Sequence, residues 1–327
     1  MMIRENRVVK PASLLPEDAL PPASGTLPPP WPGRLVEVDD YATYVRDTPG
    51  TSPQAEPALY VHGLGGSAQN WTDLAGLVSD QLAGQAIDLP GFGRSDPPPR
   101  GGYRQSAYAA RVARVIEHAD RGPVHLFGNS LGGAVAARVA ATRPDLVRTL
   151  TLISPAMPFI QPRSAHARML PVLLVPSARR AVEERVRAIP PEELARGILS
   201  ICFADATRIA PQRMAEAVAE ATARQEVPWA AEAYVHALRG LAGSFLVPRP
   251  WSLWGLAGRI TAPTLIVWGE QDRLVNVRLA PRTAASIPDS RLLLLDGVGH
   301  TAQLEVPRIL ARAVLAFLDE ARLHTDV

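Results

Sequence analysis

Apolar and polar residues alternate along Arg34–Val38 and again along Tyr41–Arg46. This is the period-2 rhythm of half-buried strands, and the pair reads as the edge of a sheet. Downstream the pattern changes to short, continuous apolar runs at Ala58–Val61, Gln85–Leu89, Val124–Phe127, Leu150–Ile153, Thr264–Trp268 and Arg291–Leu295. Runs of this length without alternation suit strands buried on both faces. Helical spacing covers Ser106–Ala119, Leu131 to about Thr142, about Val277–Ser286 and about Glu305–Ala321. Short strands alternating with helices predict an α/β fold with a mostly parallel, doubly wound sheet.

Two stretches interrupt the rhythm. Residues 1–33 carry 8 of the 32 prolines, including the run Pro28–Pro30, and few large apolar side chains. A Pro-rich leader, extended or disordered, is expected there. After Pro155 the alternation stops for about 95 residues, and 156–255 reads as alanine- and arginine-rich helix broken at Pro190-Pro191 and Pro248–Pro250. The core is therefore expected in two parts, 34–155 and 256–327, with a helical cap between them. Such an insertion lies near the carboxyl ends of the strands, where sites in parallel sheets form. It holds three of the six tryptophans, Trp229, Trp251 and Trp254. These rings either make an apolar lid over a pocket or, with Met169–Val175, pack the insertion onto the sheet.

Composition narrows the class further. A chain of 327 residues, 47% hydrophobic and 20% charged, is globular in character and long enough for a large core. The longest apolar run, Met169–Val175, contains Pro171 and falls far short of the roughly 20 residues a bilayer requires, so no membrane insertion is expected. Basic residues number 34 against 32 acidic, but Lys10 is the only lysine and the arginines are scattered. No cluster reaches the density of a phosphate-binding patch, so nucleic acid is not an expected partner. Cys202 is the single cysteine and stands in Ile-Cys-Phe-Ala, which predicts a buried, inert thiol and no intrachain disulfide. The N-terminus lacks the apolar segment of a signal peptide, so a cytoplasmic location is expected.

The strongest chemical signal is Gly128-Asn129-Ser130-Leu131-Gly132-Gly133, where an apolar strand stops and a helix of small residues begins. A serine pinched in such a bend needs neighbours almost free of side chain, which Gly128 and Gly132 supply. The bend would present the Ser130 hydroxyl over the positive end of the following helix. A hydroxyl is a poor nucleophile without an oriented base. Among seven histidines, His300 leaves a strand in the turn Asp296-Gly297-Val298-Gly299-His300 and can reach over the sheet edge. His125 lies inside a strand, His118 on a helix, His166 and His236 in the insertion, and His324 in the tail. Asp272, just past Thr264–Trp268, is the expected acid, ahead of Glu270 and Asp296. The order Ser, Asp, His along the chain is itself diagnostic. Acyl transfer also needs oxyanion donors, and the Leu131 N–H after the nucleophile is one. The loop His62-Gly63-Leu64-Gly65-Gly66 lets the chain turn back so that the Leu64 N–H supplies the other. That loop lacks the lysine and hydroxyl of a phosphate-binding loop.

Taken with Asp88-Leu89-Pro90-Gly91-Phe92-Gly93-Arg94-Ser95 and Gly269-Glu270-Gln271-Asp272, these motifs resemble the α/β-hydrolase family in its capped form. The resemblance spans about 34–156 and 256–322, in order and spacing. It implies an α/β-hydrolase fold with an eight-stranded sheet and a helical cap after the sixth strand. It also implies a Ser130–His300–Asp272 triad, supported by the turn residues His62, Gly63, Gly65, Gly128, Asn129 and Gly132, with no metal and no cofactor. Ser130 distinguishes the chain from haloalkane dehalogenases and epoxide hydrolases, which carry aspartate there. Gly128–Gly133 and Gly299-His300-Thr301-Ala302-Gln303 are similar to hydrolases that cleave carbon–carbon bonds of ring-fission products. Those enzymes place an aromatic residue after the histidine, where this chain has Thr301. The expected function is a carboxylesterase-like serine hydrolase whose partner is a small-molecule apolar ester. The alternatives are a C–C hydrolase and a receptor-like binding protein with a relic triad.

Overall fold

The computed structural model describes residues 9–22, 26–39, 41–98, 102–159 and 188–323; Met169–Val175, His166 and His324 lie outside them. Strands form at Lys10–Pro11 (β1), Gly33–Glu37 (β2), Ala42–Thr48 (β3), Glu56–Val61 (β4), Leu82–Ile87 (β5), Val124–Asn129 (β6), Val147–Ile153 (β7), Thr264–Gly269 (β8) and Ser290–Leu295 (β9). They make one sheet in the order β1-β9-β8-β7-β6-β4-β5-β3-β2. Among the described residues only the β2–β3 and β3–β5 pairs are antiparallel. The predicted edge pair is thus in place, and the strands from β4 onward run parallel.

The eight expected strands are joined by a ninth from the leader. Lys10 and Pro11 pair with Arg291 and Leu292 along the outer side of β9. Proline is tolerated there because an edge strand leaves one side of its backbone unpaired. Beyond β1, the Ala12 N–H donates to Leu292 O, and the guanidinium of Arg312 donates to Leu15 O at 2.6 Å. Further on, the Trp31 indole donates to Thr72 O at 3.0 Å.

Helices cover both faces. Gln105–Ala119 (α2), Leu131–Thr142 (α3) and Ala280–Ser286 (α8) lie over one cluster, built on Val112, Ile116, Val135, Val139 and Ala284. Thr72–Leu77 (α1) and Pro307–Leu323 (α10) lie over the other, built on Trp71, Leu74, Val314 and Phe317. Helix α10 buries Leu310, Val314, Phe317, Leu318 and Ala321, the i, i+3, i+4 stripe that its sequence spells out. In α3 small residues let the helix sit close to the sheet, and all of Leu131–Ala137 is buried.

Because β4 to β9 run parallel, the turns that leave β4, β5, β6, β7, β8 and β9 gather at one edge. Between β7 and β8 the chain forms Pro191–Cys202 (α4), Pro211–Glu226 (α5), Ala230–Ser244 (α6) and Leu253–Leu256 (α7). Proline opens both α4 and α5, a position where its missing N–H costs nothing. A short helix, Ala302–Glu305 (α9), follows His300. Among the described residues no helix is long and apolar enough to cross a membrane.

Two of the insertion's three tryptophans differ in setting. Trp254 packs against the core cluster, donates its indole N–H to Pro158 O at 2.7 Å and carries the Arg282 guanidinium over its ring. Trp251 is 55% exposed. The packing alternative therefore describes Trp254, and Val235 and Leu238 of α6 make the apolar contact with the loop after β4.

Candidate active site

Ser130 occupies the single residue between β6 and α3, with φ 54° and ψ −117°. That conformation is strained for a residue with a side chain and persists only where the surroundings impose it. Here the Ser130 N–H donates to Ile153 O at 3.0 Å, and its carbonyl accepts from Ala134 and Ala156. A Cβ on Gly128 would collide with the Gly132 carbonyl, and one on Gly132 with the carbonyls of Val61 and His62. Both positions must be glycine for α3 to start this close to the end of β4. Asn129 is buried, and its amide donates to Ile153 O at 3.1 Å and to His300 O at 3.2 Å. The residue before Ser130 thereby ties the turn to the backbone of His300.

His300 Nδ1 lies 2.8 Å from Asp272 Oδ2, and the Asp272 side chain is fully buried. Its other oxygen accepts from the N–H groups of Leu274 and Val275 at 2.8 and 2.9 Å. Burial alone would raise the Asp272 carboxyl, but the charge and hydrogen bond of His300 and the two N–H donors outweigh it, and the net shift is downward. With Nδ1 donating to the carboxylate, Nε2 of the neutral ring is left as the proton acceptor. A Cβ on Gly269 would strike the carbonyls of Val298 and Gly299, so glycine there lets the turns after β8 and β9 lie against each other. Glu270 and Asp296, the weaker candidates for the acid, are exposed. Asp296 instead accepts from Gln271 and Gly297.

The glycine loop after β4 passes directly over the serine. A Cβ on Gly63 would sit 3.1 Å from Ser130 Cβ, and Gly65 takes φ 75°. Half-buried Leu64 packs against Val235 and Leu238 of α6. His62 is fully buried, and its Nε2 accepts from Leu89 N–H at 2.9 Å while Nδ1 faces Gly63 O at 2.7 Å. Burial drives its pKa down to about 4, so it is a neutral strut between two loops. Asp88 plays a similar part after β5, accepting from Ala68 and Arg94 N–H at 2.7 and 2.8 Å. Burial lifts it to about 6 despite those donors.

Of the other histidines, His125 is buried against Thr149 and Glu56, with its pKa driven down to about 4 by burial. His236 faces Glu232 on α6. Cys202 ends α4, and burial, followed by the charges of Asp272 and Glu305, pushes its thiol up to about 12. That fits an inert thiol, yet its carbonyl accepts the His300 N–H at 2.7 Å.

One residue at this edge was missed from sequence. Glu305 has a fully buried carboxylate that accepts from Gly299 N–H at 2.7 Å and from Ala204 and Asp205 N–H at 3.1 Å. Arg208 completes the set at 3.2 Å. One carboxylate thus pins the turn bearing His300 to the chain leaving α4. Its only signal in the sequence is a charge set between Leu304 and Val306.

The sequence model of a family described as alpha/beta hydrolase fold matches residues 57–307. A 2-hydroxy-6-oxononadienedioate/2-hydroxy-6-oxononatrienedioate hydrolase of Cupriavidus pinatubonensis is 28% identical over 293 residues, 87% of this chain and 94% of the relative. A monoacylglycerol lipase of Xenopus laevis is 26% identical over 303 residues, 88% of this chain and 82% of the relative. Among solved structures, a bacterial membrane phospholipase A is similar with a TM-score of 0.73 and 26% identity, covering 90% of this chain and 87% of that one.

Proposed function

The chain belongs to the α/β-hydrolase family, and from that premise we propose that it is a serine hydrolase of small to medium apolar carboxylic esters. The observation that carries this reading is the strained Ser130 turn, tied through Asn129 to a histidine whose far nitrogen is held by a buried aspartate. In this reading His300 Nε2 takes the Ser130 proton as the oxygen attacks the acyl carbon. Asp272 holds the ring in the required tautomer and stabilises the imidazolium. The N–H groups of Leu131, at the start of α3, and of Leu64 bind the oxyanion. His300 then protonates the departing alcohol and activates a water that releases the acid from the acyl-enzyme. The helices of 188–256 act as a cap, which meets the glycine loop through the Leu64–Val235–Leu238 contact.

Purified protein should turn over p-nitrophenyl esters of graded acyl length and be labelled at Ser130 by a fluorophosphonate. Ser130→Ala should lose both, with turnover falling on the order of 10⁴-fold or more. Undiminished turnover in that variant would overturn the assignment.

A second reading is C–C bond hydrolysis, favoured by the Cupriavidus pinatubonensis relative, which aligns over 94% of its length. Thr301 stands against it, because the ring-fission hydrolases of the sequence resemblance carry an aromatic residue there. A vinylogous diketone substrate assayed beside the esters separates the two, because only a C–C hydrolase would prefer it.

A further inference from the structure

A cavity of about 560 Å³ opens between the start of α2, Arg138 of α3 and the C-terminal half of α6, and neither Ser130, His300 nor Asp272 forms any part of its wall. That wall is basic. Arg104, Arg138, Arg239 and His236 contribute to it, and among the described residues no aspartate or glutamate does. Glu232, one helical turn from His236, faces its Nε2 at 3.2 Å. Arg104 is also the N-cap residue of α2, a helix of 15 residues; its carbonyl accepts from Ala107 and Tyr108 N–H, and its guanidinium, a donor only, leaves the first N–H groups uncapped. The first N–H groups of a helix lack partners within it and favour anions.

The independent observation is Gln105. It forms part of the wall and is only 2% exposed, yet among the described residues neither its amide nitrogen nor its amide oxygen has a hydrogen-bonding partner. Buried side-chain amides are normally hydrogen-bonded. Arg138 is in a similar position. One of its terminal nitrogens donates to Trp251 O at 3.3 Å, while its buried Nε has no partner. The unmatched Gln105 amide and Arg138 Nε cost folding free energy unless something else uses them.

We propose that this cavity is a second binding site, separate from the hydrolytic one, for a small hydroxylated oxyanion. The guanidinium groups and the start of α2 suit the charged oxygens of a phosphate or a carboxylate. Gln105 sets the further condition. Its Nε2 can donate to an anionic oxygen, but its Oε1 needs a donor, which a bare carboxylate lacks and a hydroxyl supplies. The volume lies within the range of small-molecule sites. The wall joins α6 of the insertion to α2 and α3 of the core, so an occupant would bind the two together.

The test is calorimetric titration of the full chain at constant ionic strength, set by sodium chloride. The probes are inorganic phosphate, sn-glycerol 3-phosphate, lactate, acetate and glycerol. sn-Glycerol 3-phosphate or lactate should bind at least tenfold more tightly than acetate or glycerol, and whichever of the two wins identifies the charged group. Gln105→Leu removes the amide and should weaken that binding at least tenfold, while leaving the melting temperature unchanged or raised. Arg138→Ala should weaken it by a similar factor, and decides the matter if Gln105→Leu does not fold. Neither residue belongs to the proposed catalytic machinery, so ester turnover without ligand should stay within twofold. Absence of binding by every probe overturns the proposal, as does binding that survives unchanged in both variants.

Discussion

A single methyl group at position 132 has nowhere to go. Its neighbours would be the carbonyl oxygens of Val61 and His62, main-chain atoms at the end of β4 that cannot rotate aside. Gly132→Ala must therefore push the start of α3 away from the sheet and carry the Leu131 N–H with it. The expected cost is about 1–3 kcal/mol of stability, typical of overpacking. Ester kcat should drop about 100-fold or more, the usual effect of losing one oxyanion donor. Denaturant unfolding and a p-nitrophenyl ester assay measure the two. If kcat survives while stability falls, Leu131 is not a donor. Asp272→Asn should be more selective, keeping the fold but losing on the order of 10³–10⁴ in kcat because the amide cannot hold the same tautomer. These residues were legible because their demands are local. The Ser130 turn is written within five positions, and Asp272 and His300 each follow a recognisable strand. Glu305 was not legible, since its partners come from Gly299 on one side and Ala204 and Asp205 on the other, about 100 positions away.

Among elements, the least predictable junction is the one between α4 and the turn after β9. His300 receives no backbone support from its own strand; its N–H goes to Cys202 at the end of α4. Gly299 is held by Glu305, which also gathers Ala204 and Asp205 just past α4. The chain leaving α4 and the His300 turn are therefore tied directly to each other. Glu305→Gln leaves one oxygen for several donors and turns an N–H₂ group toward the rest. We expect a loss of about 2–4 kcal/mol, in line with breaking a buried, hydrogen-bonded charge. We also expect kcat to fall about tenfold with KM within twofold, measured at a temperature where the variant is fully folded. An unchanged kcat there would reduce Glu305 to a purely structural support. The elements that sequence reading overlooked share one cause. Helix α1 has six residues and β1 has two, too few to show a period. Longer elements, such as α3 and α10, were found to within about two residues at either end, the usual scatter of helix boundaries.

For the molecule as a whole, three buried groups away from Ser130, His300 and Asp272 contribute to the response to acid. Burial holds His62 and His125 down at about 4, against the ordinary 6.5, so both are neutral when folded. Each adds stability above pH 6.5 that is lost as the pH falls toward 4, because the unfolded chain takes up a proton that the folded one refuses. Asp88 works in the opposite sense. Its pKa is raised from 3.8 to about 6, so the folded state holds a proton that unfolding releases, and its contribution is lost as pH rises through 6. Between pH 6 and 4.5 these three groups together give a net uptake of about one proton on unfolding. Each net proton changes stability by about 1.4 kcal/mol per pH unit, giving a fall of about 2 kcal/mol over that range. Urea unfolding at several pH values measures it, and a flat or rising profile contradicts the balance. His125→Leu gives a sharper test. It removes one of the two histidine protons, so His62 and Asp88 should nearly cancel and the slope should approach zero, whatever the variant loses in absolute stability. The fall has a local meaning as well. Protonating His62 at Nε2 removes the acceptor of the Leu89 N–H, which braces the loop carrying Leu64. Asp272, held below the ordinary carboxylate value, stays ionised throughout this range. Acid should therefore loosen the glycine loop before it discharges the aspartate that holds His300.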